Sequence, residues 1–268
     1  MEGGVTKMST CAVSEVRQGP FVWLTLNRPQ VKNALNGEMV LALLEAFERL
    51  GADSNTRAIV LAGRGDAFCS GVDLTHMQNM AKNPLENQQS SRALSDLFCA
   101  IAACPKPVVA RVQGVCFAGA LGVVCASDVL VASHQARFCL PEVRRGLIPA
   151  TISPFVVQAL GVRAARRYVL TGEVFSAQRA YELGMVHAVC DAPDLDECVQ
   201  ALLDNFLLCG PWAMGQAKRL VLDVSGEGVM CDALHADVAM RLAKVREGAE
   251  AAEGMAAFLE KRKPRWAL

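Results

Sequence analysis

A chain of 268 residues with 52% hydrophobic and 20% charged side chains can bury a sizeable core and is too apolar to stay disordered. Its 27 Lys and Arg balance its 27 Asp and Glu, so no overall field draws it to nucleic acid or to an acidic membrane.

In chain order, the opening MEGGVTKMSTC has no apolar signal core. No later run reaches the ~18 residues of a membrane span, so the expectation is a soluble cytoplasmic protein. Phe21 to Asn27 (FVWLTLN) reads as a strand that Arg28-Pro29 ends. Asn36 suits the N-cap of a helix carrying Met39, Val40, Leu43, Leu44, Phe47 and Leu50 on one stripe. Arg57 to Ala62 is a second strand, closed by Gly63, and Ala67 to Leu74 (AFCSGVDL) is a tight loop of mostly small residues. The polar stretch Gln78 to Ser91 reads as exposed. Leu94 to Ala103 is helical, halted by Pro105 and Pro107.

Pro107 to Val112 is a buried strand, and Gly114 to Val124 (GVCFAGALGVV) turns it into a small-residue helix over Ala120 to Ala126. Two short strands follow, Val129 to Ala132 and Ala136 to Leu140. Then come helices over Arg163 to Leu170 and Ser176 to Leu183 and a strand over Met185 to Val189. Past Asp194 only helices are expected, at 194–208, 212–223, 228–247 and 250–262. The fold class is therefore α/β over 1–195 with an all-α segment over 196–268.

A strand, a glycine turn and a helix start aim free backbone N–H groups at one point, which can hold a negative oxygen. Read alone, either glycine turn is equally a plain chain reversal. Other chemistries find little support. No GxGxxG fingerprint or GK[ST] loop is present, and the four His (76, 134, 187, 235) lie in no hydrolase motif. Cys69 and Ser70 have no evident base. Eleven Cys, many in apolar runs (Cys99, Cys116, Cys125, Cys139, Cys190), form no CxxC pair. They read as buried thiols in a reducing compartment, with no metal site.

Six stretches carry a family resemblance in register: NRPQVKNALN, DAFCSGVDL, the GVCFAGALG turn, ARFCLPEVRRGLIP, TGEVFSAQRAYELGMVHAV and AFLEKRKPRW. Together they resemble the enoyl-CoA hydratase/isomerase (crotonase) superfamily. The resemblance implies a ββα-spiral core, a helical C-terminal trimerisation segment, and a trimer or dimer of trimers. It implies an acyl-CoA thioester as substrate and no separate cofactor, since coenzyme A is part of the substrate.

By the same resemblance, the N–H groups of Val72 and Gly119 form an oxyanion hole and Glu142 is the acid/base. Apolar flanks would raise the Glu142 pKa toward a useful range. The second glutamate of a standard hydratase would fall at position 122, where this chain has Gly122. The finer pattern resembles bacterial hydratases of 3-methylglutaconyl-CoA or isohexenylglutaconyl-CoA. A double-bond isomerase using Glu142 alone is the runner-up, and a non-catalytic binding or scaffold protein of the same fold is the rival from another class. Lys32, Ser70, Asp73, Leu74, Phe258 and Lys261 are the expected substrate contacts, with Asp73 more structural than catalytic. Arg144 and Arg145 are candidates for a distal carboxylate or for surface ion pairs. His76 is either a loop imidazole or a stand-in for the missing acid.

Overall fold

The computed structural model describes residues 12–80, 82–225 and 248–266; the helix expected over 228–247 lies outside them. A six-stranded sheet runs β1 (Val13–Gln18), β2 (Phe21–Leu26), β3 (Ala58–Gly63), β4 (Val108–Val112), β6 (Val129–Ser133) and β9 (Ala188–Cys190). A three-stranded sheet joins β5 (Val115–Phe117), β7 (Arg137–Cys139) and β8 (Phe175–Ser176). The β1–β2 pair is antiparallel and the other pairs of the large sheet are parallel.

Parallel strands need cover on both faces, and the alternation of side chains supplies it. Ile59, Leu61, Val108, Ala110, Leu130 and Ala132 face the main core. Ala58, Val60, Val109 and Val131 face a second one. Helix α1 (Gly37–Ala52) joins the main core through Met39, Val40, Leu43, Phe47 and Leu50. Asn36 caps α1, its side chain accepting from the Met39 N–H at 3.0 Å. Helices α3 (Pro84–Ala103), α4 (Gly119–Ala126) and α5 (Ser153–Thr171) fill the rest of that face. Helix α7 (Leu195–Leu207) covers the other face with Leu195, Val199 and Leu203.

Helix α6 (Ala177–Glu182) is capped by Ser176 as its sequence suggests, with the Arg179 N–H donating to the Ser176 hydroxyl at 3.2 Å. Helix α8 (Pro211–Val224) docks through Lys218. That side chain donates to Asp128 at 2.8 Å and to the main-chain oxygens of Ile101 and Lys106. The helix Ala249–Leu259 closes in a C-terminal motif with Lys261 at φ +54° and the Arg262 N–H donating to Ala257.

The polar stretch 78–91 is largely exposed, as expected, and holds the end of α2 (Leu74–Met80) and the start of α3. Two expectations are corrected. Between the strand and helix of the central glycine stretch lies an extra strand, β5. And α5 begins ten residues before Arg163, broken only where Gly161 adopts φ +70°.

Candidate active site

The site begins with two turns pressed together. The Leu35 N–H donates to Gly71 and the Asp73 N–H donates to Leu35, both at 2.8 Å, which makes a parallel bridge between Leu35 and Val72. In such a bridge the flanking residues bond to the partner, so the main-chain groups of Val72 turn to the opposite side. On that side stands Gly119, where an added Cβ would lie 3.6 Å from the Val72 nitrogen. Gly119 is the first residue of α4, so its N–H has no acceptor within the helix. Among the described residues, neither amide meets a main-chain or side-chain acceptor.

Close packing of the two turns explains their residues. Gly71 adopts φ +101°, and a Cβ there would come within 2.8 Å of the Ala118 side chain and 2.9 Å of the Phe117 carbonyl. Ala118 itself sits at φ +51°, ψ −125°, a conformation that L residues rarely hold. The Ala118 N–H, donating to Cys139 at 2.9 Å, fastens the turn to β7.

Both turns open on one cleft of about 1200 Å³, whose lining also includes Ser70, Asp73, Leu74, His76 and Glu142. Glu142 starts a short 3-10 turn, Glu142–Arg145, directly after Pro141. Its Oε2 is buried with no hydrogen-bond partner among the described residues. Burial raises the Glu142 carboxyl above its ordinary value, and the opposing pull of its own N–H and of Arg145 does not cancel this. A half-buried carboxylate with an unpaired oxygen, in one cleft with two unpaired amides, is equipped to move protons near a developing oxyanion.

Asp73 is occupied elsewhere. It pairs with Arg28 at 3.0 Å and accepts from the N–H groups of Thr75 and His76, starting α2. Burial alone would push its carboxyl up, but Arg28 and the two amides outweigh burial and hold it low. Arg28 also donates to the Ala34 carbonyl at 2.6 Å, so this pair ties the Val72 turn to the segment before α1. Buried Asn33 holds the other side, donating to the carbonyls of Arg64, Ala67 and Phe68.

The remaining candidates divide. Ser70 lies in the wall with its hydroxyl 3.4 Å from the Val31 carbonyl, and Leu74 is 50% exposed at the mouth. Lys32 is exposed and outside the lining, though its carbonyl accepts from the Ser70 N–H at 2.9 Å. Lys261 is exposed and likewise outside the lining. Phe258 falls on a side chain outside those described. Arg144 turns away and donates to the Thr171 carbonyl at the end of α5, whereas Arg145 lines the cleft. His76 lines it too, its Nε2 3.3 Å from the Ser90 hydroxyl of α3.

Position 122 is sealed. A Cβ on Gly122 would lie 2.6 Å from Ile152 Cγ2 and 2.6 Å from Phe98 Cζ, both fully packed side chains. Where a second carboxylate is expected, this chain has an apolar wall. Sequence reasoning missed that wall and the α2–α3 side of the cleft, which contributes Gln78, Glu86, Gln89 and Ser90. A signal for α3 existed in Asn83-Pro84-Leu85-Glu86: Asn83 caps the helix, Pro84 opens it, and Asn83 Nδ2 donates to Glu86 at 3.1 Å.

Comparison with known proteins supports this architecture over most of the chain. A family model described as enoyl-CoA hydratase/isomerase matches residues 17–267. A "putative enoyl-CoA hydratase" of Thermus thermophilus is 36% identical over 94% of this chain and 99% of its own length. An enoyl-CoA hydratase structure from Shewanella pealeana superposes with a TM-score of 0.91 at 37% identity, covering 95% of this chain and 96% of that one. Pseudomonas aeruginosa AtuE does so with a TM-score of 0.92 at 36% identity, covering 96% and 100%.

The chain belongs to the enoyl-CoA hydratase/isomerase family and has the crotonase fold. It is an enzyme of the hydratase type, and its substrate class is acyl-CoA. Among the described residues, no helix is long and apolar enough to cross a membrane.

Proposed function

We propose that this chain adds water across the double bond of a branched glutaconyl-CoA, 3-methylglutaconyl-CoA or its isohexenyl analogue. The reading rests on one observation: unpaired amides of Val72 and Gly119 share a cleft with the buried, unpartnered carboxylate oxygen of Glu142. Glu142 takes a proton from water as the water oxygen bonds to C3. The displaced electron pair passes to the thioester oxygen, which the two amides stabilise by about 3–4 kcal/mol each. Glu142 then returns the same proton to C2, so a single carboxylate completes the addition.

A second reading, double-bond isomerisation, is favoured by the apolar wall at Gly122, which leaves no carboxylate at that position to hold water. Here Glu142 removes a proton from C4 and delivers it to C2 through the same enolate. Ser70, Leu74 and Lys32 are proposed to meet the pantetheine and adenine portions, with Asp73 holding their loop. Phe258 and Lys261 would complete the nucleotide site from a neighbouring copy in a trimer or dimer of trimers. No cofactor beyond the CoA of the substrate is needed, and a reducing cytoplasm suits the free cysteines.

The test is loss of enoyl-thioester absorbance on adding enzyme to glutaconyl-CoA, 3-methylglutaconyl-CoA and crotonyl-CoA, followed by product mass. A gain of one water identifies hydration, and unchanged mass with a shifted double bond identifies isomerisation. Neither change on any acyl chain would remove the catalytic reading.

A further inference from the structure

We infer that Arg145 is the residue that selects an acyl chain ending in a carboxylate. This rests on the acyl-CoA reading of the cleft and assigns its polar end. Glu142 and Arg145 are the first and last residues of one 3-10 turn. Side chains three apart in such a turn eclipse, about 6 Å along its axis. Both line the cleft. A thioester oxygen at Val72 and Gly119 brings the reacting carbons to Glu142. The guanidinium then stands one turn further along, where the next two or three carbons of the chain would run.

The two adjacent arginines separate cleanly. Arg144 donates to the Thr171 carbonyl, and its stem packs where a Cβ on Gly172 would come within 3.0–3.2 Å. Arg145 has no carboxylate or carbonyl within hydrogen-bonding distance among the described residues. It is the single Arg or Lys in the described lining, and of the acids there Asp73 is already paired with Arg28. The nearby wall, Leu147, Ile148 and Pro149, is apolar. An exposed cation with planar, forked donors, hydrogen-bonded to no protein group among the described residues and bordered by apolar side chains, fits a carboxylate that the substrate brings.

Equilibrium binding of glutaryl-CoA and butyryl-CoA, saturated thioesters that cannot turn over, tests this apart from any activity. The wild-type chain is expected to bind glutaryl-CoA more tightly. The ratio of the two affinities should fall about 10- to 100-fold in Arg145→Gln, recover in part in Arg145→Lys, and stay at the wild-type value in Arg144→Gln. The assignment is overturned by a wild type without preference, by an equal loss on both ligands in Arg145→Gln, or by Arg144→Gln shifting the ratio as much. Failure of the catalytic reading is separate: wild-type enzyme would leave every enoyl thioester unchanged while the binding ratio still responds to Arg145.

Discussion

The ring of Phe98 fills the space that a side chain at Gly122 would need: Phe98 Cζ lies 2.6 Å from the Cβ position of residue 122. Ile152 closes the same space from the start of α5. Packing as well as sequence thus keeps a second carboxylate out of position 122. Gly122→Glu alone is expected to lower the melting temperature by about 5 °C or more through overpacking and a buried acid. It should bring no gain in hydration. Adding Phe98→Ala should recover part of the melting temperature. An unchanged melting temperature for Gly122→Glu would show that the wall yields easily.

Glu142 carries the proton in every catalytic reading of the cleft. Glu142→Gln should cut turnover by at least about 10² while leaving the affinity for a saturated acyl-CoA nearly unchanged. Its raised carboxyl also predicts a pH effect with a definite sign. A carboxyl with a folded pKa above the unfolded value favours the fold at low pH, and stability falls as pH rises through the folded pKa. Glu142→Gln should therefore be more stable than wild type at neutral pH, with the gap closing as pH drops below the ordinary glutamate value. Denaturation curves at pH 4 and pH 7.5 would check it; an equal gap at both would contradict the burial argument.

The Asp73–Arg28 pair ties the Val72 turn to the segment before α1. Asp73→Asn keeps an oxygen for the start of α2 but loses the charge. Turnover should fall by about tenfold as the Val72 amide loses its fixed position. The held-down Asp73 carboxyl adds stability above its unfolded value, and this is lost as pH falls through the folded value. The wild-type advantage over Asp73→Asn should accordingly shrink in acid. Full activity in Asp73→Asn would separate the pair from the donor turn.

His76 bonds to Ser90 across α2 and α3, which reads as a tie between two walls of the cleft. His76→Ala is expected to reduce turnover less than about tenfold, with the Ser90→Ala variant matching it. A loss of 10² or more in His76→Ala alone would instead make the imidazole the second proton carrier.

The parts legible in the sequence are those set by short-range pattern. Ala58–Gly63, Val108–Val112 and Val129–Ser133 read as strands because both faces of a parallel sheet are buried. Asn36 and Ser176 mark helix starts that the side-chain bonds bear out. Strand β1 (VSEVRQ) is an edge strand with Glu15 and Arg17 facing water, so it shows too few apolar residues to be read as a strand. The strand expected at Met185 to Val189 sits later, at Ala188–Cys190, because Met185 and Val186 are buried in the connection from α6. At the site, the glycines of both turns are visible in the sequence, and Glu142 is picked out by the family resemblance. The contact of Phe98 with Gly122, and the divergence of Arg144 from Arg145, depend on helices brought together from distant positions and leave no local trace.

The central claim is that two main-chain amides and one carboxylate converge on a thioester. A crystal structure of Glu142→Gln with crotonyl-CoA bound tests it most directly. The thioester oxygen should lie about 2.7–3.1 Å from the nitrogens of both Val72 and Gly119, with the residue-142 side chain facing C2 and C3. A thioester oxygen bonded to neither amide, or a residue 142 pointing away from the double bond, would contradict the account.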